Sequence, residues 1–166
     1  MRALLPVMTA LLAAVWPTAP AAQERVDVEL VLAVDVSGSM QYDELRAQRD
    51  GYVAAFRSAD VIAAIGQGAR GRVAVTYVEW ARNDLKKTIV PWTVIDGAAA
   101  SNAFADRLAA APIANMRNTS IAGAIRYGAG LIMGNTFEGD RHVIDISGDG
   151  PNNQGGPVVE ARDEAM

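Results

Sequence analysis

Val31-Leu-Ala-Val-Asp-Val-Ser-Gly-Ser-Met40 is an apolar run that ends in one carboxylate and two hydroxyls at alternate positions. In an extended segment residues i, i+2 and i+4 face the same way, so Asp35, Ser37 and Ser39 bring three oxygen-bearing side chains into one small volume. Gly38 lets the backbone turn tightly between them. Two readings fit this stretch alone. It is half of a cation site, or it is a strand end whose serines stop the strand and cap the next helix.

The surrounding chain has 166 residues, enough for one domain with a real core and too few for two ordinary ones. Apolar residues make up 51% and charged residues 20%, with a formal net charge of -4, which describes a folded, mildly acidic protein. No basic stripe of the kind that binds nucleic acid is present. The absence of cysteine excludes disulfides, thiolate metal sites and cysteine nucleophiles, and the single histidine disfavours zinc. Any metal ligands must therefore be oxygens, and hard oxygen donors select magnesium, manganese or calcium.

The first residues read as an export signal rather than as part of the fold. Arg2 gives a positive start, Ala3 to Trp16 is mostly apolar, and Ala19-Pro-Ala21 offers a small-x-small cleavage site. Residues 1–21 are thus expected to be a signal peptide, and the mature protein to be periplasmic or secreted. The apolar run is shorter than the roughly 20 residues that cross a bilayer, so no membrane span is expected after cleavage.

From Val26 to Asp35 the pattern alternates and then becomes continuously apolar, as in a strand that enters a core covered on both faces. Leu45, Tyr52, Val53 and Phe56 mark one face of a helix over residues 41–57, with Gly51 as a weak point where it could bend. A short helix follows over residues 58–65, capped by Ser58 or Asp60. Arg72 to Trp80 is the next strand, and residues 87–90 form a short antiparallel edge strand stopped by Pro91. Residues 98–111 are helical, with Ser101 as a possible cap, and a further helix opens at Thr119 along Ile121, Ile125, Gly128 and Ile132. Residues 141–147 make a fourth strand that runs into the turn-rich loop Gly148-Asp149-Gly150-Pro151. A last helix begins near Val158.

Strands alternating with helices predict an α/β fold, a doubly wound and mostly parallel sheet with an antiparallel edge. If the spatial order is three-two-one-four, the winding reverses between strands one and four. Ligands of such sheets bind outside the strands' carboxyl ends at that reversal, where Asp35 and Asp149 lie.

Asp35-Val-Ser37-Gly-Ser39, Asn118-Thr119-Ser-Ile-Ala-Gly-Ala-Ile125 and Ser147-Gly-Asp149-Gly150 together resemble the von Willebrand factor type A domain with its metal-ion-dependent adhesion site. The resemblance covers residues 26–166. Wording such as Val75-Thr-Tyr-Val-Glu-Trp80 is similar to an exported bacterial branch of that family whose role is not established. It implies that Ser37 and Ser39 ligate a cation directly, that Thr119 does so directly or through water, and that Asp35 and Asp149 act mostly through bound waters. An acidic group of a protein partner would complete the octahedron. Magnesium suits such a shell best, with manganese or calcium as alternatives. The electrostatics agree, since two carboxylates about 5 Å apart repel by on the order of 3 kcal/mol at an effective dielectric of 20, and a divalent cation reverses this.

The chain departs from the family twice. A complete domain has two more strands and helices after the Asp149 loop, so a fragment with a free edge on its fourth strand is expected. Gly148 also stands where many members carry a hydroxyl residue, with Ser147 one position earlier. Asp145, inside an apolar strand, is expected to have a structural hydrogen-bonding role, His142 to lie at the fourth strand's start, and Trp80, Trp92 and Tyr77 to pack.

The function expected is an exported, cation-dependent protein-binding module with no catalytic residues. A lone histidine at the far end of the sheet supplies no general base for a serine nucleophile. The rival is a magnesium-dependent phosphoryl-transfer hydrolase of haloacid-dehalogenase-like type, whose first motif also places an aspartate at the end of strand one. Against it, those enzymes use Asp-x-Asp and a nearby lysine, where this chain has Ser37 and only Lys86 and Lys87 in the hairpin.

Overall fold

Glu24 and Arg25 are exposed while Val31 to Asp35 is wholly buried, because β1 (Glu24–Asp35) starts in solvent and ends at the centre of the protein. The structure, a computed structural model, describes residues 23–166. The proposed signal peptide, residues 1–21, lies outside them. β1 pairs in parallel with β2 (Val73–Trp80) on one side and with β4 (Phe137–Ser147) on the other, and β3 (Lys86–Ile95) runs antiparallel to β2. The order is β3-β2-β1-β4, with the winding reversal between β1 and β4 as expected.

Among the described residues there are five helices: α1 (Tyr42–Arg57), α2 (Ala59–Gly66), α3 (Ala98–Ala110), α4 (Ile121–Met133) and α5 (Val158–Ala165). The period-2 alternation of β1 divides the core. Leu32 and Val34 face α1 and α3, where Phe56 meets Phe104 with ring centres 4.6 Å apart. Val31 and Ala33 face α4 together with Val78, Trp80 and Ala124. Asp35 continues the second series, so its side chain points toward the start of α4. Tyr77 and Trp80 are buried packing residues.

Four local expectations are corrected. Pro91 does not stop β3, which continues to Ile95. The register shifts between Val75 and Tyr77, so the residue lacking an N–H sits on an edge strand where the ladder is already broken. Ser101 is not a cap. It is buried inside α3 and donates to the Phe56 carbonyl at 2.5 Å, which ties α3 to the end of α1. Asp145 is exposed on the edge strand β4, so burial imposes no partner on it. β4 begins at Phe137 rather than near Arg141, which puts His142 in mid-strand with its Nε2 3.3 Å from Glu29 Oε1. His142 is register partner to Glu29, about 20 Å along β1 from Asp35. α1 runs unbroken through the exposed Gly51.

Candidate metal centre

The chain leaves β1 at Asp35, and the carboxylate immediately caps the turn it has entered. Asp35 Oδ1 accepts from the Ser37 amide at 2.7 Å. Ser37 Oγ and Ser39 Oγ are 3.1 Å apart, and Ser39 Oγ donates to Asp149 Oδ1 at 2.8 Å. Four of the five expected ligands thus form one connected set across the β1–β4 reversal.

Thr119, the fifth, reaches the same place by a different route. Its amide donates to Asn153 Oδ1 at 3.0 Å and its carbonyl accepts from the Asn153 amide at 3.0 Å, which binds the α4 entry to the loop after Asp149. Asn152 Oδ1 takes the Ala122 amide in the first turn of α4. Ser37, Ser39, Thr119 and Asn153 line one pocket of about 360 Å³ with Gly38, Arg117 and Asn118. The asparagine pair is a part of the site that sequence reasoning missed. Its signal was Asn152-Asn153 in a loop otherwise built of turn formers.

Ser120, not Thr119, caps α4. Its Oγ accepts from the Gly123 amide and donates to the Gln154 carbonyl, each at 3.2 Å. Thr119 is therefore released from capping, and its hydroxyl makes no hydrogen bond among the described residues although the residue is only 6% exposed. A separable pair of outcomes follows. Ser120→Ala should lower stability by about 1 kcal/mol with cation affinity retained. Thr119→Ala should leave unfolding in urea nearly unchanged, with its effect on cation affinity alone.

Asp35 is wholly buried and its Oδ2 has no hydrogen-bond partner among the described residues. Burial pushes its carboxyl above the ordinary range, the Ser37 amide and hydroxyl pull it back, and the Asp149 charge raises it again. An uncompensated carboxylate oxygen facing a second carboxylate is what a bound cation would relieve. Gly148 leaves room beside it, since a Cβ there would lie 3.1 Å from Asp35 Oδ2 and 3.4 Å from the Trp80 indole. Ser147 does not replace the missing hydroxyl. Its Oγ turns to α1, 3.4 Å from both Gln48 Nε2 and Tyr52 OH.

Among the described residues no three histidine, aspartate or glutamate side chains gather as a metal cluster. The expected donor set is instead two carboxylates and three hydroxyls, with Ser39 and Asp149 exposed. All donors are hard oxygens, too few in number to enclose a cation, and this fits an ion that keeps waters and an open position.

The sequence profile of a family described as "Protein of unknown function (DUF1194)" matches residues 25–166. No curated protein matches significantly. Among solved structures, proximal thread matrix protein 1 of the mussel byssus, with a zinc-occupied MIDAS motif, superposes with a TM-score of 0.63 at 18% identity, over 87% of this chain and 36% of that one. The vWF domain of the type V pili tip protein Mfa5 from Porphyromonas gingivalis gives 0.51 at 17% identity, over 80% and 40%. The PilB minor pilin from Streptococcus sanguinis gives 0.55 at 18%, over 80% and 31%. The fold is that of a von Willebrand factor A-type domain, and the chain spans 31–40% of the length of these structures.

Proposed function

Because the chain belongs to the family described as a protein of unknown function, DUF1194, its role is read from its site, and we propose that it is an exported, non-enzymatic protein-binding module that depends on a divalent cation. The observation that carries this reading is the buried Oδ2 of Asp35, without a hydrogen-bond partner among the described residues, at the strand end from which Ser37 and Ser39 enter a pocket shared with Thr119, with Ser39 hydrogen-bonded to Asp149. These five residues would hold the cation. When bound, it would supply a Lewis-acidic point at the pocket mouth able to take a carboxylate oxygen of a protein partner. Three neutral hydroxyls leave much of its charge uncancelled, which favours an anionic ligand.

Magnesium is the cation proposed, on the grounds of hard donors and an incomplete protein shell. The zinc-occupied motif of the mussel protein supports divalent binding at a site of this kind. That protein is a thread matrix component, and the other two relatives are a pilus tip protein and a minor pilin. They support an extracytoplasmic, adhesive role. Among the described residues no helix is long and apolar enough to cross a membrane.

Calorimetric titration of magnesium into the protein and into Thr119→Ala tests the reading. A saturable one-site isotherm is expected, weakened at least tenfold by the substitution, on the scale of one lost oxygen ligand at about 1.4 kcal/mol per decade. Equal binding in both, or none in either, overturns the site.

A further inference from the structure

The rim of the pocket carries one feature that cation binding does not use. Arg117 lies next to Asn118, a non-glycine residue with a φ of 69°, in the left-handed region that asparagine tolerates better than most residues. This reversal turns Thr119 inward while Arg117 stays exposed at the pocket wall. The preceding residue is fixed, since the Met116 amide donates to the Val36 carbonyl at 2.8 Å and Met116 bridges to Ser37. Gly38 gives the loop its close approach. A Cβ there would lie 3.2 Å from the Met116 carbonyl oxygen and 3.7 Å from Arg117 Cγ.

Other arginines near α4 and the β2–β3 turn are already paired, Arg82 with Asp84 and Arg126 with Glu164. Arg117 makes no ion pair or side-chain hydrogen bond among the described residues, although it lines the same pocket as Ser37, Ser39 and Thr119. Resting on the reading of the site as a cation-dependent one, we infer that Arg117 is a specificity-determining residue that binds a second acidic group of the partner, so that the ligand is a segment with two neighbouring carboxylates. The charge arithmetic supports this. The cation would keep charge for one carboxylate at its open position, and Arg117 adds a separate positive charge at the rim. A ligand with one carboxylate at the cation leaves the guanidinium unpaired. A second carboxylate satisfies it with the planar, two-point geometry that arginine offers and lysine does not.

The test uses capped peptides with a single aspartate or with two adjacent aspartates, titrated into isotope-labelled protein in saturating magnesium and followed by amide shifts. The two-aspartate peptide should bind roughly fivefold more tightly, the scale of one solvent-exposed charged pair. Arg117→Ala should abolish the preference, Arg117→Lys should restore only part of it, and both should still bind magnesium at one site, Arg117→Ala no more weakly than the unsubstituted protein. Equal affinity for the two peptides in the unsubstituted protein, or a preference that survives Arg117→Ala, overturns the role of Arg117 and leaves the cation site standing. Failure of the unsubstituted protein to bind magnesium overturns the site itself, and magnesium binding without either peptide binding overturns a carboxylate ligand.

Discussion

Arg49→Met should lower the free energy of unfolding by about 3–5 kcal/mol at neutral pH, the usual cost of stranding one member of a buried ion pair. Arg49 lies on the buried face of α1 and its guanidinium reaches two other elements at once, β2 and the end of α3. It donates to Glu79 Oε1 on β2, to the Leu108 carbonyl at 2.9 Å and to the Ala111 carbonyl at 3.1 Å, and it sits 5.3 Å from the Tyr77 ring centre. The side chains of Arg49 and Glu79 are 4% and 2% exposed. Methionine would fill much of the space but leave the Glu79 carboxylate without its cation and the end of α3 without its donor.

The loss should depend on pH with a definite sign. Burial already pushes the Glu79 carboxyl up, against the pull of Arg49 and Lys87, and removing Arg49 raises it further. An acid whose folded-state value is raised holds more protons folded than unfolded between the two values, so stability falls as pH rises through that window. Arg49→Met should therefore be least damaging below the ordinary glutamate range and worsen toward neutrality. Adding Glu79→Met should recover much of the loss, because an apolar pair carries no desolvation cost. Urea unfolding of both variants at pH 5 and pH 8 measures this, and a cost under about 1 kcal/mol that is flat with pH would refute it.

The second large effect is expected at the pocket. Magnesium at 100 times its dissociation constant should add about 2.7 kcal/mol to the protein's stability, raising the melting temperature by roughly 5–10 °C. Asp35→Asn should abolish that rise. Asparagine keeps the shape and an oxygen for the Ser37 amide, so the metal-free fold should survive. It also removes the buried charge that faces Asp149, and the metal-free variant should be as stable as the unsubstituted protein or more so. Melting curves with and without magnesium read both quantities. A variant that still gains stability from magnesium would exclude Asp35 from the cation's surroundings, and a variant that cannot fold without it would assign Asp35 a mainly structural role.

These two residues illustrate what a sequence can convey. Asp35 was legible because its position follows from local periodicity: an apolar strand ends there, and alternation carries Ser37 and Ser39 to the same side. Arg49 was not. A charged residue on an amphipathic helix is read as solvent-facing, and Glu79, 30 positions later in chain order, gives no sign that it will be its partner. The same limit explains Ser120 and Thr119, adjacent hydroxyls at a helix start whose capping duty depends on one backbone turn. It also explains Arg117, whose exposure at the pocket depends on the left-handed Asn118.

The sequence by itself determined the α/β class and the antiparallel edge, and it put Asp35 and Asp149 just past the ends of two strands, because hydrophobic period and strand-end position are properties of short segments; the strand order β3-β2-β1-β4 entered there only as a condition, which the tertiary structure met. Only the tertiary structure decided which hydroxyl caps α4, where His142 sits in β4, how Pro91 fits within a strand, and that a buried Arg49–Glu79 pair joins α1, β2 and the end of α3. Those outcomes depend on register and on contacts between residues distant in the chain, and the pattern of one segment carries no record of the segment it will meet.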